Sequence, residues 1–417
     1  MVRRFFVSAL LMIGVIMLHA QTARGPVVHQ DHSVTFTLDA PDAKHVRLEG
    51  SFSKKPIRMQ QVDGLWTARL DSLPAEIYTY RYLLKKKKPI NDPANQQQMR
   101  DVDEIWNYFI VEDSITRNYI EQKVPHGRLE YVWYPSTLNG MSQRRLAVYL
   151  PSGYDREAEA RYPVLYLLHG SGGDETAWAD CGRVCQILDN LMAAGKAKPC
   201  IVVMPNGNAN LDAAPGESPW MQREPSAMNA LSMTGMIEQY FVKEVVSFID
   251  RRYKTVADRT HRAIAGLSLG GLHSIYISVN HPTLFDYVGL FSAQATNMLD
   301  DERRQLMIQR AHRNNTRIRQ AWGIIFNFDP DPSLFDLKLS HIDTYANLDE
   351  KLDRLSLTPP KVYYIAIGKD DLLLYFNRKF MQKLDQHHIA YDFHLTEGAH
   401  SWENWRRYLV DLLPKLF

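Results

Sequence analysis

Only three of the 417 residues are cysteine, at positions 181, 185 and 200. An odd set cannot pair completely, and Cys181 and Cys185 lie four apart in what reads as a helix, a poor arrangement for a disulfide. The cross-linked scaffold of small secreted domains is therefore excluded, and at least one thiol stays free. His and carboxylate partners at metal-ligand spacing are also missing around these residues, so buried thiols are expected rather than a metal site. Charge of one sign is just as scarce, with 49 Lys and Arg against 47 Asp and Glu, a formal net charge of +2. No net field exists to hold a polyanion or an anionic membrane, which excludes nucleic acid as an electrostatic partner. The one dense charge run, Lys85–Lys88, reads as a solvated hairpin end.

Long apolar runs are nearly absent too. Phe5 to Leu18 follows the basic start Met1-Val-Arg-Arg and precedes His19-Ala20-Gln21, and it falls short of the ~20 residues a membrane-crossing helix needs. Residues 1–20 read as a signal peptide. The expectation is export to the periplasm or the exterior, with no stable membrane insertion after cleavage. No internal repeat is present, and oligomeric state is left open.

What is there divides into two textures. From Val34 to Leu84 apolar residues recur with period two: Val34/Phe36/Leu38, Val46/Leu48, Trp66/Ala68/Leu70 and Tyr78/Tyr80/Tyr82, with Trp106–Val111 as a closing strand. Residues 25–112 are thus expected to form a small all-β, immunoglobulin-like sandwich, and 113–126 a polar linker. From 127 to 417 the strands become continuous apolar runs, Val164–Leu168, Ile201–Met204, Ala263–Ala265, Tyr287–Phe291 and Val362–Ile367, alternating with helical segments such as Met236 to Tyr253. That pattern predicts an α/β domain with a mostly parallel central sheet covered on both faces, and an antiparallel edge from Leu129–Tyr134 and Arg145–Leu150.

The chemistry gathers at strand ends of this second region. Gly266-Leu-Ser268-Leu-Gly270 follows an apolar strand and opens a helix, the context of a nucleophile elbow. A serine hydroxyl needs a base to take its proton and a carboxylate to hold that base, both following the serine in this fold. His400, in Glu397-Gly-Ala-His-Ser-Trp402 after the last strand, is the candidate base. Gly368-Lys-Asp-Asp371 offers two adjacent acids, and spacing does not choose between Asp370 and Asp371; the one not used is expected to cap the following helix. Oxyanion donors are expected from the backbone N–H of Leu269 and from the glycine-rich loop after Leu168, at Ser171 or otherwise Gly172. That loop lacks the ending of a phosphate cradle and the spacing of a dinucleotide fingerprint.

Together, Leu168-His-Gly-Ser-Gly-Gly-Asp-Glu-Thr-Ala-Trp178, Met204-Pro-Asn206, His261 to Gly271, Gly368-Lys-Asp-Asp371 and Gly398-Ala-His-Ser-Trp402 resemble, in order, the esterase group that contains carbohydrate esterase family 1. The likeness runs through most of Gly127 to Leu413 and implies an α/β-hydrolase fold, with Asp371 as the acid and Gly172, Asp174, Trp178 and Trp402 near substrate. It implies no metal or organic cofactor. Residues 298–360 are longer than in compact members of the group and are expected to shape the pocket. The amino-terminal region resembles the early-set sandwich of isoamylases and glycogen-binding modules, whose aromatics (here Trp66, Tyr78, Tyr80, Tyr82, Trp106 and Tyr108) could stack on sugar. The resemblance implies release of ferulic acid from feruloylated xylan. Acetylated xylan and a siderophore ester are the rival substrates, and a non-catalytic glycan-binding protein is the rival class.

Overall fold

The computed structural model describes residues 25–84, 89–101, 104–156, 159–217, 234–295 and 342–417. The expected leader, the Lys85–Lys88 run and residues 298–341 of the insertion lie outside the described residues. The chain divides into two compact units. The first holds the described part of Met1–Pro74 with Tyr78–Gln97 and Asn107–Phe109; the second holds Ala75–Ile77, the described part of Gln98–Trp106, and that of Ile110–Phe417.

The amino-terminal strands are β1 (Val27–Val28), β2 (Val34–Leu38), β3 (Val46–Gly50), β4 (Ile57–Arg58), β5 (Gln60–Val62), β6 (Leu65–Leu70), β7 (Glu76–Leu84), β8 (Gln98–Asp101) and β9 (Glu104–Val111). They form a four-stranded sheet in the order β1-β2-β6-β5 and a five-stranded sheet in the order β4-β3-β7-β9-β8. Alternate residues point inward as period two requires: Val34, Phe36, Leu38, Val46, Leu48, Tyr80, Tyr82 and Phe109 are all buried. The Phe36 ring lies 5.1 Å from Tyr80 and 5.4 Å from Phe109, centroid to centroid.

This packing takes four of the six aromatics out of reach of a sugar and gives them to the core. Trp66 and Tyr78 are each 9% exposed and Tyr80 and Tyr82 are 0% exposed, so a sugar ring cannot reach their faces. Their polar tips are used inside: Trp66 Nε1 donates to Ala40 O at 3.0 Å, and Tyr80 Oη donates to Asp92 at 2.7 Å. A small sandwich needs large side chains to fill the gap between its sheets, and these aromatics fill it. Trp106 and Tyr108 are half-buried.

The second unit is built on β10 (Arg128–Pro135), β11 (Gln143–Leu150), β12 (Val164–Leu168), β13 (Ile201–Pro205), β14 (Arg262–Leu267), β15 (Tyr287–Phe291), β16 (Val362–Gly368) and β17 (Asp392–Thr396). These make one eight-stranded sheet in the order β10-β11-β13-β12-β14-β15-β16-β17. β10 and β11 are the antiparallel edge; every pairing from β13 through β17 is parallel. All residues of β12, β13, β14 and β15 are buried, which is why these strands read as unbroken apolar runs.

Its described helices are α1 (Ala177–Asp180), α2 (Val184–Ala193), α3 (Met236–Tyr240), α4 (Ser247–Arg252), α5 (Leu269–Asn280), α6 (Leu348–Leu357), α7 (Leu374–Gln386) and α8 (Trp402–Leu412). A π-helical turn, Phe241–Val246, joins α3 to α4, so the single helix expected here is continuous but widened. The wider turn rotates the apolar face: Val246 is buried, while Tyr240 and Phe248 remain half-buried. Cys181 and Cys185 are not in one helix; Gly182 and Arg183, with φ of 56°, separate α1 from α2. All three thiols are free, and burial pushes Cys185 and Cys200 up to about 12 and Cys181 well above its ordinary value. They are held as protonated, unreactive thiols.

Candidate active site

β14 runs directly into Ser268, whose φ of 72° and ψ of −106° are unfavourable for a residue with a Cβ and cost of order 1–3 kcal/mol. Three backbone hydrogen bonds hold it there. Its N–H donates to Phe291 O at 3.0 Å, and its carbonyl accepts from Gln294 N at 2.7 Å and Leu272 N at 3.1 Å. The flanking glycines serve close approach rather than unusual torsion. A Cβ on Gly266 would lie 2.4 Å from the Gly270 carbonyl, and one on Gly270 would lie 2.5 Å from the carbonyl oxygens of Leu168 and His169. α5 can therefore start hard against the end of β12 only because both positions lack a side chain.

His400 sits between β17 and α8, and Asp371 between β16 and α7. His400 Nε2 is 3.0 Å from Ser268 Oγ, and His400 Nδ1 is 2.9 Å from Asp371 Oδ2. A carboxylate can only accept, so Nδ1 carries the proton and the Nε2 lone pair faces the serine hydroxyl. That is the tautomer a general base requires. The Trp405 ring lies 4.9 Å from the imidazole at 86°, with its Nε1 tied to Ser292 Oγ at 3.2 Å. Ser268 is 3% and Asp371 5% exposed.

Of the two adjacent acids, Asp371 is the one that meets the imidazole. Asp370 is exposed, and its backbone N–H donates to Gly398 O at 3.0 Å, tying the acid loop to the histidine loop. The expectation that the unused acid caps the next helix is not met: Asp371 itself accepts from Leu373 N at 2.8 Å through its second oxygen, and α7 has no side-chain cap. One carboxylate thus anchors its own loop and faces the ring.

Leu269 is the first residue of α5, so its N–H has no acceptor within the helix and stands immediately beside Ser268. Across from it, Gly170–Gly173 forms a tight turn closed by Gly173 N to Gly170 O at 3.1 Å, with Gly172 at φ 77°. A Cβ on Gly170 would lie 3.2 Å from Ser268 Cβ, so this turn rests on the elbow and brings Ser171 beside it. Gly172 is partly exposed at the tip.

Asp174 and Trp178 do not face a ligand. Asp174 is 2% exposed, with Oδ2 bound to Arg100 at 2.6 Å and Oδ1 accepting from Thr176 N and Oγ1, each at 2.9 Å. Trp178 is 1% exposed, donates to Leu168 O at 3.0 Å and packs its ring 5.3 Å from Trp402. Both side chains support the loop rather than open toward solvent. Trp402 is partly exposed, two residues past His400, with its Nε1 3.3 Å from Asp101. Sequence reasoning assigned no role to Arg100, Trp405 or His169; the first two carry no periodic or spacing signal, while His169 stands inside the quoted Leu168–Trp178 motif. Among the described residues no three His, Cys, Asp or Glu side chains gather as a metal site, and no helix is long and apolar enough to cross a membrane.

The family described as "Putative esterase" matches residues 140–416. The chain belongs to this family. The chain is 31% identical over 274 residues to an endo-1,4-beta-xylanase/feruloyl esterase of Xylanibacter ruminicola, covering 64% of this chain and 36% of that protein. It is 26% identical over 290 residues to endo-1,4-beta-xylanase Y of Acetivibrio thermocellus, covering 66% of this chain and 22% of the relative. The chain thus spans about a third or less of the length of these two relatives. Among solved structures, the enterobactin esterase FES of Shigella flexneri shares the fold, with a TM-score of 0.58 at 14% identity over 92% of each chain. The chain has the α/β-hydrolase fold, preceded by an all-β amino-terminal region.

Proposed function

We propose that this esterase works through an acyl-enzyme on Ser268, with His400 as base and Asp371 as the group that holds it, and that its substrate is a hydroxycinnamic ester, chiefly ferulic acid on xylan. The observation that carries the mechanism is the unbroken line Ser268 Oγ, His400 Nε2, His400 Nδ1, Asp371 Oδ2, with links of 3.0 and 2.9 Å. His400 takes the serine proton as Oγ attacks the ester carbonyl, then hands it to the departing sugar hydroxyl. Water, deprotonated by the same imidazole, releases the acid. The N–H groups of Leu269 and Ser171 stabilise the oxyanion.

The substrate class rests on the named activity of the Xylanibacter relative, which couples a xylanase with a feruloyl esterase. The segment shared with this chain is of the length of the esterase family match, which favours the second half of that name. Export through residues 1–20 places the enzyme where polymer is found. Partly exposed Trp402 and Gly172 are the candidates to meet an aromatic acyl group. Initial rates on methyl ferulate, an acetylated xylan and a catechol-siderophore ester test the assignment side by side. Methyl ferulate is expected to turn over fastest; a faster rate on either rival moves the substrate while keeping the serine chemistry.

A further inference from the structure

The residue that opens the oxyanion loop has no part in the triad, yet its ring is bound at both nitrogens. His169 follows β12 and is 3% exposed. Gly207 N–H, beyond the end of β13, donates to His169 Nε2 at 2.7 Å, and His169 Nδ1 is 2.7 Å from Gly170 O. A backbone N–H can only donate, so Nε2 is the acceptor and Nδ1 must carry the proton and donate to Gly170 O. The tautomer is settled by the two backbone partners. The slot is tight: a Cβ on Gly173 would lie 3.0 Å from Nδ1, and one on Gly207 would lie 3.3 Å from Nε2. Burial lowers His169 from 6.5 to about 4, which keeps the ring neutral at working pH.

The Gly170 carbonyl and the Ser171 N–H belong to one planar peptide unit and point in opposite directions. Holding the carbonyl on the imidazole therefore aims the N–H away from it. The same carbonyl also accepts from Gly173 N at 3.1 Å, and Gly170 rests against Ser268, so the remaining direction of that peptide is set beside the nucleophile. We infer that His169 is a positioning residue for the oxyanion hole: its Nδ1–H, by fixing the Gly170 carbonyl, selects Ser171 rather than Gly172 as the second donor and holds it preorganised for the tetrahedral intermediate. This rests on Ser268 being the nucleophile.

The two bonds of the ring can be separated by substitution. Asn at 169 places an amide N–H near the position of Nδ1, so it can still donate to Gly170 O but does not reach Gly207. Gln places its amide oxygen near the position of Nε2, so it can still accept from Gly207 N but offers nothing to Gly170 O. Steady-state hydrolysis of p-nitrophenyl acetate, an ester that makes no demand on acyl specificity, reads the outcome. With His169→Gln, kcat is expected to fall about 10- to 100-fold while KM stays within about twofold, because preorganised donors act on the transition state alone. His169→Asn is expected to recover most of that loss. Near-wild-type kcat in folded His169→Gln overturns the inference. Equal losses in the two variants, or a loss carried by KM, would mean that the ring merely props the loop, and would overturn it as well. Ser268→Ala in the same assay separates the two levels: hydrolysis that survives there removes the serine reading itself, whereas hydrolysis abolished there and unchanged in His169→Gln removes only the aiming of the donor.

Discussion

Two buried aspartates, one in each unit, show what separates a structural polar centre from a reactive one. Asp92 of the sandwich is 2% exposed and accepts from Tyr80 Oη at 2.7 Å, Tyr82 Oη at 3.3 Å and Ala94 N at 2.9 Å. Asp371 of the α/β sheet is 5% exposed and accepts from His400 Nδ1 at 2.9 Å and Leu373 N at 2.8 Å. Burial and hydrogen bonding are nearly the same. The difference lies in the partner. Burial and the neighbouring carboxylate push both tyrosines far above their ordinary values, so neither hydroxyl gives up its proton to a reaction at working pH. At Asp371 the partner is an imidazole, which can take a proton at one nitrogen while holding one at the other, and its second nitrogen meets a strained serine on a different strand end. A buried carboxylate becomes functional when the chain of bonds continues to an atom that reacts.

The largest expected effect breaks that chain. Asp371→Asn keeps an oxygen for Leu373 N but no longer requires the proton on Nδ1, so the base is presented in the wrong tautomer. We expect kcat to fall about 10³- to 10⁴-fold with the fold retained, read from steady-state rates beside circular dichroism. A loss under tenfold would mean that Asp371 is no more than the anchor of its own loop. The matching change in the sandwich, Asp92→Ala, should do the opposite. It removes the acceptor of the buried Tyr80 hydroxyl, while Tyr82 Oη keeps Thr37 O at 3.1 Å and the Ala94 N–H is near solvent, at a cost of about 1–3 kcal/mol in urea unfolding of the first unit. Turnover per folded molecule should hold. If Asp92→Ala unfolds no more easily than wild type, the polar centre is not holding the sheets.

His169 supplies a third case, a buried titratable group with both nitrogens used by backbone, and it sharpens the contrast through pH. Burial lowers it from 6.5 to about 4. Above about pH 6.5 the ring is neutral in both folded and unfolded chains and contributes no pH dependence. Between about 6.5 and 4 the unfolded chain binds a proton that the folded one refuses, so stability falls as pH falls, by up to about 1.4 kcal/mol per unit. Below about 4 that loss is complete. His169→Asn should remove this slope, so the stability gap between wild type and variant should shrink from pH 6.5 to 4.5. Parallel urea midpoints across that range would show that the ring titrates normally in the fold.

The elbow and the sheet were legible because their causes are local. A strand that turns sharply into a helix beneath another strand must carry glycines at 266 and 270, and strands buried on both faces must be apolar throughout. The sequence leaves Tyr80 and Tyr82 open because an aromatic on alternate strand positions has the same pattern whether it faces sugar or the opposite sheet; only the other sheet decides. Asp174 and Trp178 were misread for a related reason. They stand in and just after the glycine-rich loop that follows β12, and their side chains point into the supporting structure, toward Arg100 and the Leu168 carbonyl. Arg100 lies 74 residues before Asp174 in the chain, a separation that no local pattern encodes.

The smallest expected effect is at Asp370, where spacing alone left the acid undecided. Its side chain is exposed and its contribution to the site is a backbone N–H that donates to Gly398 O at 3.0 Å. Asp370→Asn leaves that N–H in place and removes a charge in solvent, so kcat should stay within about twofold and stability within about 0.5 kcal/mol. Asp370→Pro removes the N–H instead and should loosen the tie between the acid and histidine loops, lowering kcat more than the loss of charge does. Were Asp370→Asn to lose more rate than Asp371→Asn, the acid would have to reach His400 by a loop arrangement other than the one seen, and the contrast between the two buried aspartates would no longer explain which of them reacts.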